Sequence, residues 1–360
     1  VKALTRRQDG APRVDFGHRV MVLRPSAAVS VRLSVRTTVV CAILLLLTLV
    51  VGVLALGTGE FSLPPDQVVR ALTGQESGWA RLVVVEWRLP RVVLALLIGS
   101  ALGLSGAVFQ SLMRNPLGSP DVIGFNTGAY TGVLVATAYV GHDYAQTSVG
   151  ALVGGLLTAA VVYLLAYRQG VQGFRLIIVG IAVSAVLGSV NQWFIIKADL
   201  QTAYAAALWG QGSLNDLSWD QVPPVAYAVG ALSLLLVAMG PSLRLLELGD
   251  DAASALGVRR EPVRLAYLAV GVALTAVATA AAGPISFVAL AAPQIAARLT
   301  RAPGIALVPS AVTGALLLLV GDFLAVRLFA PTQLPVGVVT VSLGGAYFAW
   351  LLARNTRGRK

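Results

Sequence analysis

The chain is 360 residues long, 57% hydrophobic and only 12% charged, with a mean hydropathy of +0.79. Soluble domains carry about 25% charged residues, so a single water-soluble core is excluded and a bilayer must bury most of these side chains. The formal net charge of +11 sits outside the apolar runs, with no basic–aromatic module, which excludes a nucleic-acid partner and fits a positive-inside bias instead.

In chain order the sequence parses as an all-α polytopic membrane protein with ten apolar spans. They are expected near residues 38–56, 91–112, 122–140, 149–167, 176–196, 222–239, 263–281, 285–299, 305–329 and 336–352. A basic cytoplasmic tail, 1–36, precedes a transmembrane domain, 37–353, and a second basic tail, 354–360, follows it. An even number of spans puts both termini on one side. Roughly 21 of the Lys and Arg residues then fall inside and 6 outside. No small-residue cleavage site follows the first span, which is read as a retained helix.

What is missing narrows the chemistry. Cys41 is the only cysteine, so no intramolecular disulfide forms. His18 and His142 are far apart, which argues against a metal site. Lysines occur only at 2, 197 and 360 and none follows a glycine, so no GxxxxGK phosphate loop exists. If the activity of this protein is driven by ATP, the ATPase that holds ATP and Mg is another chain.

The stretch 88–128 organises the rest. Arg88 and Arg91 flank Leu89–Pro90, and a helix is expected to start there with Pro90 in its first turn. Gly99, Gly103 and Gly106, with Ser100 and Ser105, provide small-residue spacings for close helix approach. RNPLGSPDVIG, 114–124, then interrupts the apolar text, and irregular backbone at membrane depth must be buried in protein or line a cavity. GPISFVALAAP, 283–293, is a second interruption, read either as a tight turn with a kinked helix or as part of a pathway.

Four further features stand out. The loop from 57 to 87 reads as short interfacial pieces, and 197–221 as a long outer loop. Ser184, Gly188 and Asn191 share one helical face, which suits either helix–helix hydrogen bonding or a path lining. Gly249 and Gly257 bracket about two helical turns, with Asp250 or Asp251 as the cap, Gly257 left-handed, and Ala252, Ala253, Ala255 and Leu256 as a compact surface. Asp322 lies within a late span without an evident ionisable partner; Arg327, five residues on, is off its face. It is expected near the outer aqueous end, or bonded to irregular backbone.

RLPR through RNPLGSPDVIG resembles the FecCD family, the permease subunits of ATP-driven importers for ferric siderophores and vitamin B12. LLELGDDAASALGV, GPISFVALAAPQIA and LPVGVVTVSLGG are similar to its other signatures. The likeness runs from about Thr38 to the C-terminus and is strongest to ferric catecholate permeases. It implies a type II ABC importer of a bacterial inner membrane, with spans 2–5 and 7–10 as inverted four-helix repeats. The faint echo of IGSAL, 98–102, in VGVAL, 270–274, matches that architecture.

The resemblance also implies roles. Arg88, Arg91 and Arg327 would meet acids of an external substrate-binding protein, although membrane-interface snorkelling is the commoner explanation of any single outer arginine. Gly249, Asp250, Asp251, Ala252, Ala253, Ser254, Ala255, Leu256 and Gly257 would form the ATPase coupling loop. Gln172, Gly173 and Phe174 would form an inner gate. Ser184, Gly188, Asn191, Lys197 and Asn115 would lie along the translocation path. The implied partners are ABC ATPase subunits, a second FecCD-like permease subunit, a ferric siderophore and the lipid bilayer, with no cofactor bound by this chain. The rival expectation is a stand-alone proton- or sodium-coupled transporter, which needs intramembrane acids that are scarce here. A channel would need a repeated filter or charged ring, which the sequence lacks.

Overall fold

A computed structural model describes residues 20–23, 31–59, 61–167, 173–215, 217–301, 304, 306–330 and 332–357. Most of the expected N-terminal tail, Gln172 of the expected gate and residues 358–360 lie outside the described residues. Lipid offers no hydrogen bonds, so long apolar runs become helices, which satisfy their own backbone.

The helices are α1 (Val35–Gly57), α2 (Pro65–Leu72), the single turn α3 (Trp79–Arg81), α4 (Leu89–Met113), α5 (Phe125–Tyr139), α6 (Tyr144–Ala166) and α7 (Gly173–Lys197). After them come α8 (Leu200–Trp209), α9 (Val222–Glu247), α10 (Asp250–Ala255), α11 (Arg260–Ala282), α12 (Val288–Thr300), α13 (Leu307–Arg327) and α14 (Val336–Arg357). Among the described residues, seven helical stretches are long and apolar enough to cross a membrane. At 15 and 13 residues, α5 and α12 fall short of the ~20 needed for a full crossing, because each begins only after a broken segment. The last expected run is occupied by α14.

Three local departures have clear causes. The N-terminal tail contains an antiparallel ribbon, β1 (Val20–Leu23) with β2 (Val31–Ser34), in which Val20 faces Ser34 and Leu23 faces Val31. Its valine-rich segments favour strands. The loop 197–221 contains α8, whose N-terminus is capped by Asp199 accepting from the Thr202 N–H at 2.9 Å. Finally, the helix entering α4 does not start cleanly at Pro90: residues Leu82–Arg88 form π-helical turns. Proline has no N–H, so the carbonyls one turn earlier lose their donor. The Leu89 N–H reaches back to Val84, and the Val85 carbonyl accepts from the Trp219 indole at 2.9 Å.

The centre of the bundle is α4. Of its apolar window 78% is buried, against 11% for α7, which is peripheral within this chain. Its glycines allow backbone-to-backbone crossings. A Cβ at Gly99 would stand 2.5 Å from the Gly314 carbonyl of α13, one at Gly103 2.2 Å from Ser310, and one at Gly106 1.7 Å from Ala289 of α12. On the next face Ser105 donates to the Gly271 carbonyl of α11 at 2.7 Å and meets the Thr275 hydroxyl at 2.8 Å. The same order of a long helix, a broken short one and two long ones recurs in α4–α7 and α11–α14.

Hydrogen bonds fix which ends lie together. At one end Arg88 reaches the Leu56 carbonyl in the last turn of α1, Tyr144 reaches Ala281 of α11, and the Gly337 N–H meets Gly212. At the other, Arg36 donates to Leu299 near the end of α12, and Arg114 just past α4 meets Asp250. The start of α1 and the end of α14 therefore share the second end.

Candidate functional site

The first end carries the three arginines expected to face outward. Two do not. Arg88 is half-buried and donates to the Leu56 and Phe61 carbonyls at 2.7 and 2.6 Å, closing the C-terminus of α1 whose last carbonyls have no helical donor. Arg91 grips Asp322 of α13 with two nitrogens: Nη2 to Oδ1 at 2.8 Å and Nε to Oδ2 at 2.8 Å. Its Nη1 donates to the Gln333 Oε1 at 3.2 Å. Asp322 thus has an ionisable partner, Arg91, and the expectation of a partnerless acid is corrected. The two residues lie 231 positions apart, so local spacing could not reveal the pair. Only Arg327, at the end of α13, is exposed.

At the other end, α10 is the expected two-turn element, and Gly257 adopts a φ of +84°. The cap differs from expectation. Gly249, at φ +115°, occupies the N-cap, and neither Asp250 nor Asp251 caps the helix. Asp250 Oδ1 instead accepts from Arg114 Nη2 at 2.6 Å and from Arg264 Nη2 of α11 at 2.8 Å. Arg114 stands in the left-handed region at φ +47° and also reaches the Leu246 carbonyl at 3.2 Å. One carboxylate therefore ties the loop to the C-terminal end of α4 and the first turns of α11. Asp251, Ala252, Ser254, Ala255 and Leu256 are exposed, whereas Ala253 is buried and leaves the expected docking surface.

This geometry makes a prediction. Asp250→Ala takes the acceptor from Arg264, only 17% exposed, as well as from the half-exposed Arg114, and should cost roughly 1–3 kcal/mol of stability. The thermal midpoint in detergent checks this, and an unchanged midpoint would mean that the carboxylate does not hold the loop against α11.

Between the two ends, the α7 face bearing Ser184, Gly188 and Asn191 suits by its sequence either helix–helix bonding or a path lining; Ser184 and Gly188 are half-buried, with open space at Gly188. Buried Asn191 donates to the Thr127 carbonyl of α5 at 3.3 Å and accepts from the Thr131 hydroxyl at 2.7 Å. That is helix–helix bonding, the alternative left open by the sequence. Val183 and Leu187, rather than Ser184, Gly188 or Asn191, line the apolar groove of about 760 Å³ between α5, α6 and α7. Lys197 is exposed at the end of α7. Asn115 is remote from that face; it lines a 280 Å³ pocket with Arg114 and Glu247 near α10. Of the expected gate residues, Gly173 packs against Met113 at the C-terminal end of α4, where a Cβ would stand 3.0 Å from its Cα, and Phe174 is 77% exposed.

Sequence reasoning noticed the two broken segments but not the hydrogen bonds that hold the first of them. Gln294 of α12 donates to the Pro116 carbonyl, and Asp121 accepts at 2.6 Å from Nδ2 of Asn126, whose Oδ1 accepts from Thr279 of α11 at 3.4 Å.

Long apolar helices with interrupted backbone buried among them are the build of a multi-pass membrane protein. The FecCD transport family model matches residues 46–354, and the chain belongs to that family. It is 51% identical over 322 residues to the ferric enterobactin transport system permease protein FepG of Escherichia coli (strain K12), covering 89% of this chain and 98% of the relative. It is 38% identical to the achromobactin transport system permease protein CbrC of Dickeya dadantii (strain 3937), covering 86% and 90%. A solved metal-chelate type ABC transporter in an inward-facing conformation superposes with a TM-score of 0.76 at 26% identity, covering 88% of this chain and 99% of that one. The chain is a permease subunit, and ATP hydrolysis is carried by a separate subunit.

Proposed function

We propose that this chain is the permease subunit of an importer for a ferric siderophore of the catecholate class. It works beside a second FecCD-like permease subunit, in the cytoplasmic membrane of a bacterium. The observation that carries this reading is the 51% identity, over nearly the whole of both chains, to a ferric enterobactin permease. Ten crossings follow, with α5 and α12 as the short ones, α4–α7 and α11–α14 as inverted sets, and both termini cytoplasmic. The bias of basic residues supports that orientation. The loop from Gly249 to Gly257 receives the ATPase, which holds ATP and Mg. An external binding protein meets the opposite end, where Arg327 is the exposed one of the three candidate arginines, and Gly173 and Phe174 stand at the inner mouth.

The test is uptake by proteoliposomes holding this chain with its partner permease, ATPase and binding protein. ATP-dependent accumulation of radiolabelled ferric enterobactin should exceed that of a ferric hydroxamate by roughly tenfold or more, a difference of about 1.4 kcal/mol. Equal uptake of both would overturn the substrate class. Uptake that persists without the ATPase and stops with a protonophore would replace the whole reading by an ion-coupled transporter.

A further inference from the structure

Three large aromatic side chains gather beside the C-terminal end of α1. Phe61 meets Trp79 edge-on with ring centroids 5.4 Å apart, and Trp79 meets Trp87 edge-on at 5.3 Å. Such pairs attract, yet each ring stays half-exposed, at 51%, 51% and 52%. Arg88 fixes the group to α1 by holding the Phe61 carbonyl together with that of Leu56. Beside it, α2 shows more apolar surface than the protein covers. Val69 and Leu72 are exposed next to buried Val68 and Ala71, while the ion-paired Asp66 and Arg70 take the opposite side of the helix.

Contiguous apolar surface of this kind marks an interaction site, and its surroundings say which. Both α2 and α3 pack on the π-helical turns and on each other, and α2 packs on α1. Only 22% of the apolar window of α1 is buried, along the line from Leu44 to Leu56, and Leu45, Leu49 and Leu54 are bare. A spanning helix with most of its sides bare faces lipid. The aromatic group sits where that lipid-facing surface ends. The two indoles add a polar cue. Trp219 donates its N–H to Val85, whereas among the described residues those of Trp79 and Trp87 have no protein acceptor. An apolar ring with a free N–H is satisfied at the level of phospholipid esters and headgroups, where the ring meets acyl chains and the N–H meets oxygen.

We propose that Phe61, Trp79 and Trp87, with Val69 and Leu72 of α2, form an anchor lying in the bilayer interface at this end of the bundle, with phospholipid as its partner. This uses the membership of the chain in a membrane permease family. It depends neither on the substrate nor on which side of the membrane this end faces.

The experiment uses the complete transporter reconstituted in phospholipid vesicles. Tryptophan fluorescence of the unaltered protein, minus that of the double variant Trp79→Phe with Trp87→Phe, isolates the two indoles. Phenylalanine keeps an aromatic ring at each place. In lipid brominated on the acyl carbons nearest the ester, the difference signal should lose most of its intensity. Bromine at the chain terminus, or iodide on both sides of the membrane, should quench it far less. Val69→Cys carrying a spin label, in a Cys41→Ser background, reads the same surface without touching the rings, and it decides the matter if the double variant fails to assemble. The label should collide more often with oxygen, which concentrates in lipid, than with a water-soluble nickel chelate. A difference signal untouched by brominated lipid and quenched by iodide, or a label that favours the chelate, would overturn the proposal. If the external binding protein then shields both indoles from iodide, the patch is a protein-docking surface instead.

Discussion

Gly106→Val should leave almost no folded protein. The side chain would enter the crossing of α4 with α12, where even a Cβ would sit 1.7 Å from the Ala289 carbonyl oxygen and 2.6 Å from its carbon. Overpacking typically costs about 1–3 kcal/mol when side chains can give way. Here the obstacle is backbone, so two helices must separate, and the cost should reach about 3 kcal/mol or more. Parting them would also stretch the bond from Gln110 Nε2 to the Leu290 carbonyl, now 2.9 Å. The matching control is Gly230→Ala in α9, where nothing lies within 4 Å. Removing a mid-helix glycine from open space should be neutral, or stabilising by up to ~1 kcal/mol. Yield of the monodisperse peak in detergent and its thermal midpoint compare the two. Similar values would mean that α4 and α12 do not cross at Gly106.

The close crossings were legible because their cause is local. Gly99, Gly103 and Gly106 spaced along an uncharged run can only serve backbone approach, whatever the partner helix turns out to be. The left-handed Gly257 was legible for the same reason, since the residue after a short helix governs its own φ. Features set by distant chain were not. Asp250 looks like a cap beside Gly249, but two arginines from α4 and α11 outcompete the local N–H groups for its carboxylate. The inward turn of Asn191 depends on Thr127 and Thr131, some 60 residues away, and helical periodicity cannot say which way a polar face points. In α8 a readable signal was overlooked: Asp199 stands three residues before Thr202, an ordinary capping spacing.

Asp322→Ala should be the most damaging change at the end of the bundle that holds Arg88 and Arg91. The carboxylate side chain is 4% exposed and its partner Arg91 only 17%, so truncation strands a guanidinium that water barely reaches. Removing one member of such a pair costs about 3–5 kcal/mol, whereas replacing both with apolar residues of similar volume is often neutral or stabilising. The double variant Arg91→Leu with Asp322→Leu should therefore recover most of the midpoint lost by Asp322→Ala. It also divides two roles for Arg91. The sequence suggested that this arginine greets acids of an external protein, while the structure commits its fork to Asp322 and Gln333. With the fork committed, the leucine pair should bind that protein with nearly native affinity and an unaltered salt dependence. Arg327→Glu should weaken binding and flatten the salt dependence, because exposed charges chiefly set association rate. If the leucine pair is stable yet fails to bind while Arg327→Glu binds normally, Arg91 must leave Asp322 to meet the incoming protein, and the ion pair is an exchangeable lock rather than a fixed strut.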